Sequence, residues 1–246
     1  MHPRHPWLVI LLVLAAAPLE GQGHIVGSKH DLSWVYGQSS AMHSTAISNY
    51  TQICVFCHTP HSSLSSVSNV PLWNRSLPDP SRYTTYFSES LHNLPSAPGG
   101  HSLACLSCHD GTIAVDTVVN MPGPGLVNGN YPLGSIAFIT SAHAAMNPTG
   151  SAGNCGYCHR PGFAGYATHL PAYMGTNLSA HHPVSILYPS TGAEFVPAST
   201  LAGSSTPLRN GRVECTSCHA VHDPAIPPFL RRDNARSALC LSCHLK

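Results

Sequence analysis

Residues 54–61 read CVFCHTPH, a CxxCH motif with another histidine three positions beyond its last residue. Two thiols at this spacing, followed at once by an imidazole, suit a group held covalently at two points and through a metal at a third. A haem joined to the thiols through its two vinyl groups, with the adjacent histidine under its iron, meets that description. The stretch therefore reads first as an attachment site, and its neighbours in the sequence are read as repeats of it or as partners for it.

The motif recurs until no cysteine is left over. The 10 cysteines form five pairs, each followed directly by histidine: Cys54/Cys57/His58, Cys105/Cys108/His109, Cys155/Cys158/His159, Cys215/Cys218/His219 and Cys240/Cys243/His244. A disulfide scaffold or paired zinc-binding CxxC motifs would leave the following residue unspecified. With 18 histidines in 246 residues, chance puts histidine behind all five pairs about once in a million trials. Five copies of haem c are the expected cofactors.

Composition fits a chain whose core is not made by side chains alone. There are 20 Gly and 22 Pro against 6 Phe and 3 Trp, which breaks any long helical or strand period. The fold class expected is mostly irregular, with short α-helices, little β structure, and haems as the core on which Trp34, Trp73 and the tyrosines pack. Only 9% of residues are charged and the net charge is +1, so nucleic acid is not an expected partner. Arg4 and the apolar run from Trp7 to Ala17 are too short for a membrane span and suit a signal peptide over residues 1–23, with no span after its removal. The protein is accordingly expected outside the cytoplasm: secreted, periplasmic or at the cell surface.

Two further patterns divide the chain. His30-Asp31-Leu32-Ser33 returns as His182-Pro183-Val184-Ser185, CxxCHxxH ends at both His61 and His222, and LACLSCH at 103–109 is echoed by ALCLSCH at 238–244. We read two related two-haem units, 24–120 and 181–246, separated by an insertion, 121–180, carrying the third site. Within the insertion, Met121 to Gly134 is too rich in Pro and Gly for regular helix or central strand and is expected as a surface loop or crossover.

Beyond the attachment histidines and those of the signal peptide, eleven histidines remain. His61 lies too close to His58 to reach the opposite face of the same haem and is expected to serve a neighbour. The expected second ligands are His30 for the first haem, His61 for the second, His182 for the fourth and His222 for the fifth, with His143 or His169 for the third. His24, His43, His92, His101 and His181 read as surface residues, and Met42, Met121, Met146 and Met174 lack support from the repeat. An iron with histidine on both sides has no open position and passes electrons. No catalytic residue is therefore expected. The alternative, a reductase of nitrite or a sulfur oxyanion, needs one open iron, often signalled by a variant such as CxxCK, and none of the five motifs varies in that way.

KHDLS at 29–33, CVFCHTPH at 54–61, PLWNR at 71–75, ACLSCHDGT at 104–112 and HPVS at 182–185 together resemble exported multihaem c-type cytochromes with doubled CxxCH motifs. The resemblance implies electron transfer in extracellular or periplasmic respiration, with other redox proteins or extracellular electron acceptors as partners. Some similar cytochromes polymerise end to end into conductive filaments, with one haem ligated across the subunit boundary, so a homopolymer is implied as well. The insertion with Cys155, Cys158 and His159 departs from the simplest four-haem pattern.

Overall fold

The computed structural model describes residues 25–31, 53–64, 70–113, 118–120, 126–127, 131–132, 174–190 and 192–245. The third attachment site, His143, His169, Trp34 and residues 1–23 lie outside the described residues.

The chain is mostly irregular. Three α-helices stand out: α1 (Gly100–His109), α2 (Ala198–Leu201) and α3 (Cys215–Cys218). Two antiparallel ladders of two residues each complete the regular structure, β1 (Leu126–Val127) with β2 (Tyr131–Pro132) and β3 (Ile186–Leu187) with β4 (Arg212–Val213). The expected fold class of short helices with little β structure therefore holds. The Pro- and Gly-rich run from 121 to 134 contains the β1/β2 ladder.

The longest helix, α1, contains the second CxxCH. Ala, Leu, Ser and Cys in its middle carry no β-branch, and Asp110 caps its end with an amide that donates to the Leu106 carbonyl. Gly111 follows at φ 75, the left-handed conformation that glycine adopts at no steric cost where a helix stops. Asp110 also ties the exit to its surroundings, accepting from Tyr83 Oη at 2.5 Å and from the Thr112 amide and hydroxyl at 2.8 Å each.

Helix α1 packs on α3, which carries the fourth CxxCH. Between them Glu214 is buried. Its carboxylate accepts from the hydroxyls of Ser102 on α1 and of Ser185 beside β3, and from the Ser217 backbone in a capping box. The β3/β4 ladder, with Ile186 opposite Val213, brings the HPVS segment to this place, and the Ser185 amide donates to the Val213 carbonyl at 2.7 Å.

Among the described residues nine hydrophobic side chains are buried: Val55, Phe56, Trp73, Leu103, Ala104, Leu106, Leu178, Tyr188 and Leu201. Four of them form two small clusters, Val55 with Phe56 and Trp73 with Ala104, each with Cys57 packed against it.

Candidate haem attachment sites

Each described CxxCH stretch is one turn of helix or a hydrogen-bonded turn. His58 N donates to the Cys54 carbonyl at 2.8 Å, His219 N to Cys215 at 3.0 Å and His244 N to Cys240 at 3.0 Å, while α1 holds Cys105 to His109. Residues three apart on such a turn share a face, so both thiols of a pair point to one side. None of the eight described cysteines is paired in a disulfide.

A strap crosses the first and fourth attachment histidines. Trp73 bridges His58 antiparallel, with Thr59 N donating to Leu72 O at 2.9 Å and Asn74 N to Cys57 O at 2.9 Å. Leu230 bridges His219 in the same way, with Ala220 N to Phe229 O at 2.8 Å and Arg231 N to Cys218 O at 2.9 Å. Pro71-Leu-Trp-Asn-Arg75 thus matches Pro228-Phe-Leu-Arg-Arg232 position by position, including a positive φ at Leu72 (55) and Phe229 (60). Each strap ends in an arginine bonded to the serine of the next LSCH: Arg75 Nε to Ser107 Oγ at 3.4 Å and Arg232 Nη1 to Ser242 Oγ at 3.2 Å. The sequence comparison missed this repeat because the proline follows its histidine after 13 residues in one case and 9 in the other. The signal it overlooked was the proline-hydrophobic pair with arginine three residues on.

The straps fix the histidine tautomer. Nδ1 of His58 lies 2.8 Å from the Pro71 carbonyl, and Nδ1 of His219 lies 2.9 Å from the Pro228 carbonyl. A carbonyl only accepts, so the proton sits on Nδ1 and the lone pair on Nε2 is left for a metal. Phe195 bridges His244 similarly, but from a segment that precedes the motif, with Leu245 N to Glu194 O at 2.8 Å and Val196 N to Cys243 O at 2.9 Å.

Three of the four described attachment histidines face a second histidine. Ring centres are 6.1 Å apart for His58 and His222, 6.1 Å for His30 and His109, and 6.5 Å for His182 and His244. Metal–imidazole bonds of about 2 Å put two rings on opposite sides of one metal at about 6 Å between centres. The residues therefore fit an iron held between paired imidazoles. Among the described residues no group of three or more His, Cys, Asp or Glu is gathered for a metal ion, whereas a structural zinc site takes four protein donors.

The rings meet in an order other than the one expected for the ligands. His30 stands against His109 of the second site, not His58 of the first; His222 against His58 of the first, not His244 of the fifth; and His182 against His244 of the fifth, not His219 of the fourth. The expected order rests on matching positions in the two repeat units, which do not specify which rings pack together. His61 is exposed, and among the described residues neither it nor His219 faces another histidine ring. His92 is an exposed surface residue, as expected, near Glu194 at 3.3 Å. Met174 meets the second site through its backbone, donating to the His109 carbonyl at 2.8 Å.

The electrostatics of the paired rings follow from their crowding. His30 is pulled down to about 4, first by burial, then by His109, with His219 and His222 adding to the effect. It stacks on Phe229 of the second strap at 4.4 Å, and its Nδ1 is buried with no hydrogen-bond partner. His222, although exposed overall, is held below the usual imidazole range by partial burial, His58 and Arg231. Both shifts favour neutral imidazole, the state in which it binds metal.

The thiols show how the sites adjoin. Burial, then Cys108, pushes Cys57 up to about 12, and burial, then Cys243, pushes Cys218 up to about 11. Cys105 and Cys215 share a hydrogen bond that raises the first and lowers the second, and Cys215 N donates to Ser102 Oγ at 3.2 Å, one turn along α1 from Cys105. The described sites thus adjoin in the order first, second, fourth, fifth. Trp73 stands edge-on to His58 at 5.9 Å with its indole nitrogen buried and unpartnered.

No helix among the described residues is long and apolar enough to cross a membrane. A family model described as the doubled CXXCH motif matches residues 206–246, which contain the fourth and fifth sites. No curated protein matches the chain. The match supports a multihaem protein of c-type cytochrome character, and its motifs imply covalent haem c.

Proposed function

We propose that the protein carries five covalent haems, each between two histidines, and that it transfers electrons outside the cytoplasm, in the periplasm or at the cell surface. Haem held this way exchanges single electrons and offers no open position to a substrate. The observation that carries the reading is the set of three facing histidine pairs at 6.1 to 6.5 Å, each with one member from a CxxCH. The chain's own part is to fix the rings: the Pro71 and Pro228 carbonyls hold His58 and His219 with Nε2 free. His143 and His169 remain the candidates for the third site. Other redox proteins or extracellular electron acceptors would be the partners.

The test is a haem count by alkaline pyridine spectroscopy and intact mass on the exported protein, followed by carbon monoxide added to the reduced form. Five haems per chain and an unchanged spectrum are expected. Fewer haems would overturn the count, and a sizeable carbon monoxide shift would favour the open-site reductase.

A homopolymer is a second reading with its own observation. His222 faces the first site, while its repeat counterpart His61, exposed like His222, faces no histidine ring among the described residues, and neither does His219. A ligand passed from His61 of one copy to the His219 site of the next would use both. Micrographs of secreted protein should show filaments that disappear on His61→Ala; monodisperse particles from the unaltered chain would refute this reading.

A further inference from the structure

We propose that His222, carried by the segment of the fourth attachment site, completes the first site, at Cys54, Cys57 and His58. The inference rests on the haem reading above and deepens it by assigning one ligand across the fold.

Both rings of the pair are held from their own side. His58 is pinned through Nδ1 to the Pro71 carbonyl and lies under the Trp73 strand. His222 sits on a turn closed by Asp223 N to Ala220 O at 2.8 Å and by the Asp223 side chain, which accepts from Ala225 N at 3.0 Å. Ala220 is itself tied to Phe229 of the strap. The two rings meet with centres 6.1 Å apart and planes tilted by 43°.

The competing partners are already matched. The fifth-site histidine, His244, faces His182 at 6.5 Å, and the second-site histidine, His109, faces His30 at 6.1 Å. His219 precedes His222 by three residues on the same turn, and a ring so placed cannot reach the opposite face of the haem that His219 holds. His58 is the attachment histidine that His222 faces. The result is a staple between segments far apart in sequence, parallel to the Ser102–Glu214 bond between α1 and α3 but made through a metal.

The test removes the ligand and asks which site opens. In His222→Ala, reduced protein should bind carbon monoxide at one haem of the set, and the oxidised protein should show a new high-spin electron paramagnetic resonance signal. The variant is then repeated without the first haem, in Cys54→Ala/Cys57→Ala, and without the fifth, in Cys240→Ala/Cys243→Ala. The new signal should vanish in the first background and persist in the second. The reverse pattern overturns the proposal and returns His222 to the fifth site. No new signal in any background removes His222 from the ligands, and the haem count then shows whether the five-haem reading survives alone. Should His222→Ala fail to fold, His222→Met supplies a replacement ligand. It should give a methionine–iron charge-transfer band and a raised potential at one haem, both lost in the Cys54→Ala/Cys57→Ala background. A folded His222→Met protein with an unchanged spectrum refutes the assignment.

Discussion

The Ser102 hydroxyl on α1 donates to the buried carboxylate of Glu214, the residue that begins the turn of the fourth CxxCH. Through this bond the second and fourth attachment segments are fastened to each other independently of any cofactor. Ser185 donates to the same carboxylate at 3.0 Å, and the Ser217 amide completes its partners. Replacing Glu214 with alanine leaves buried donors without an acceptor, and we expect a loss of about 2–3 kcal/mol. Ser102→Ala should cost less, about 1 kcal/mol, because the other donors remain. Denaturant unfolding of the two single variants and the double variant should give a coupling energy above about 0.5 kcal/mol; strict additivity would place the two groups out of contact.

Gly99 tests the same junction from the other side. Its backbone, at φ −83 and ψ 175, is open to any residue, so an added side chain would be resisted only by what it meets. A Cβ there would come 2.8 Å from Glu214 Oε1. Gly99→Ala should therefore destabilise by about 1–3 kcal/mol as the carboxylate is displaced from its serines. In a Glu214→Ala background the same substitution should be close to neutral. Equal costs in both backgrounds, read from denaturation midpoints at unchanged slope, would mean that the clash lies elsewhere.

The attachment sites were legible in the sequence because covalent chemistry fixes the spacing of Cys54, Cys57 and His58 whatever surrounds them. Which histidine rings meet was not, because that depends on contacts between segments far apart in sequence, and nothing in the local spacing of His222 distinguishes His58 from His244. The LSCH repeat shows the same limit. Leu106 and Leu241 hold the same place in it, yet Leu106 is 0% exposed within α1 whereas Leu241 is 46% exposed in a stretch of 3-10 turn. The difference comes from what covers each copy. The mostly irregular fold could be read from Pro and Gly content, but the straps could not, since their loops differ in length.

The strap arginines turn that asymmetry into a prediction. Arg75 and Arg232 end matching straps and bond matching serines, but Arg75 is 0% exposed whereas Arg232 is exposed. Arg75 adds a second bond, to the Ser107 carbonyl at 3.2 Å. Its loss takes a charged donor from the buried Ser107 carbonyl beside Cys57, although the Ser107 hydroxyl keeps its bond to the Ala104 carbonyl, and Arg75→Ala should cost about 2–3 kcal/mol. Arg232→Ala should stay within about 0.5 kcal/mol, as surface changes do. Comparable losses at both positions would mean that the strap ending in Arg232 is covered in the folded protein, and hydrogen exchange at 230–245 would then show matching protection.

Alkaline stability gives a check on the exit of α1. Tyr83 donates to Asp110 at 2.5 Å, and burial, then this hydrogen bond, then the carboxylate charge hold its hydroxyl well above the usual phenol range. In the unfolded chain the phenol ionises near pH 10, so above that pH the unfolded state releases a proton that the folded state keeps. Stability is then fully present below about pH 10 and falls as pH rises through the alkaline range. Tyr83→Phe removes this contribution: it should lower stability at pH 7 by about 1 kcal/mol for the lost bond, yet flatten the decline between about pH 10 and pH 11. Denaturation midpoints of the two proteins should therefore converge as pH rises. If the gap between them stays constant over that interval, Tyr83 ionises as freely in the folded protein as in the unfolded one, and Asp110 is not holding its proton.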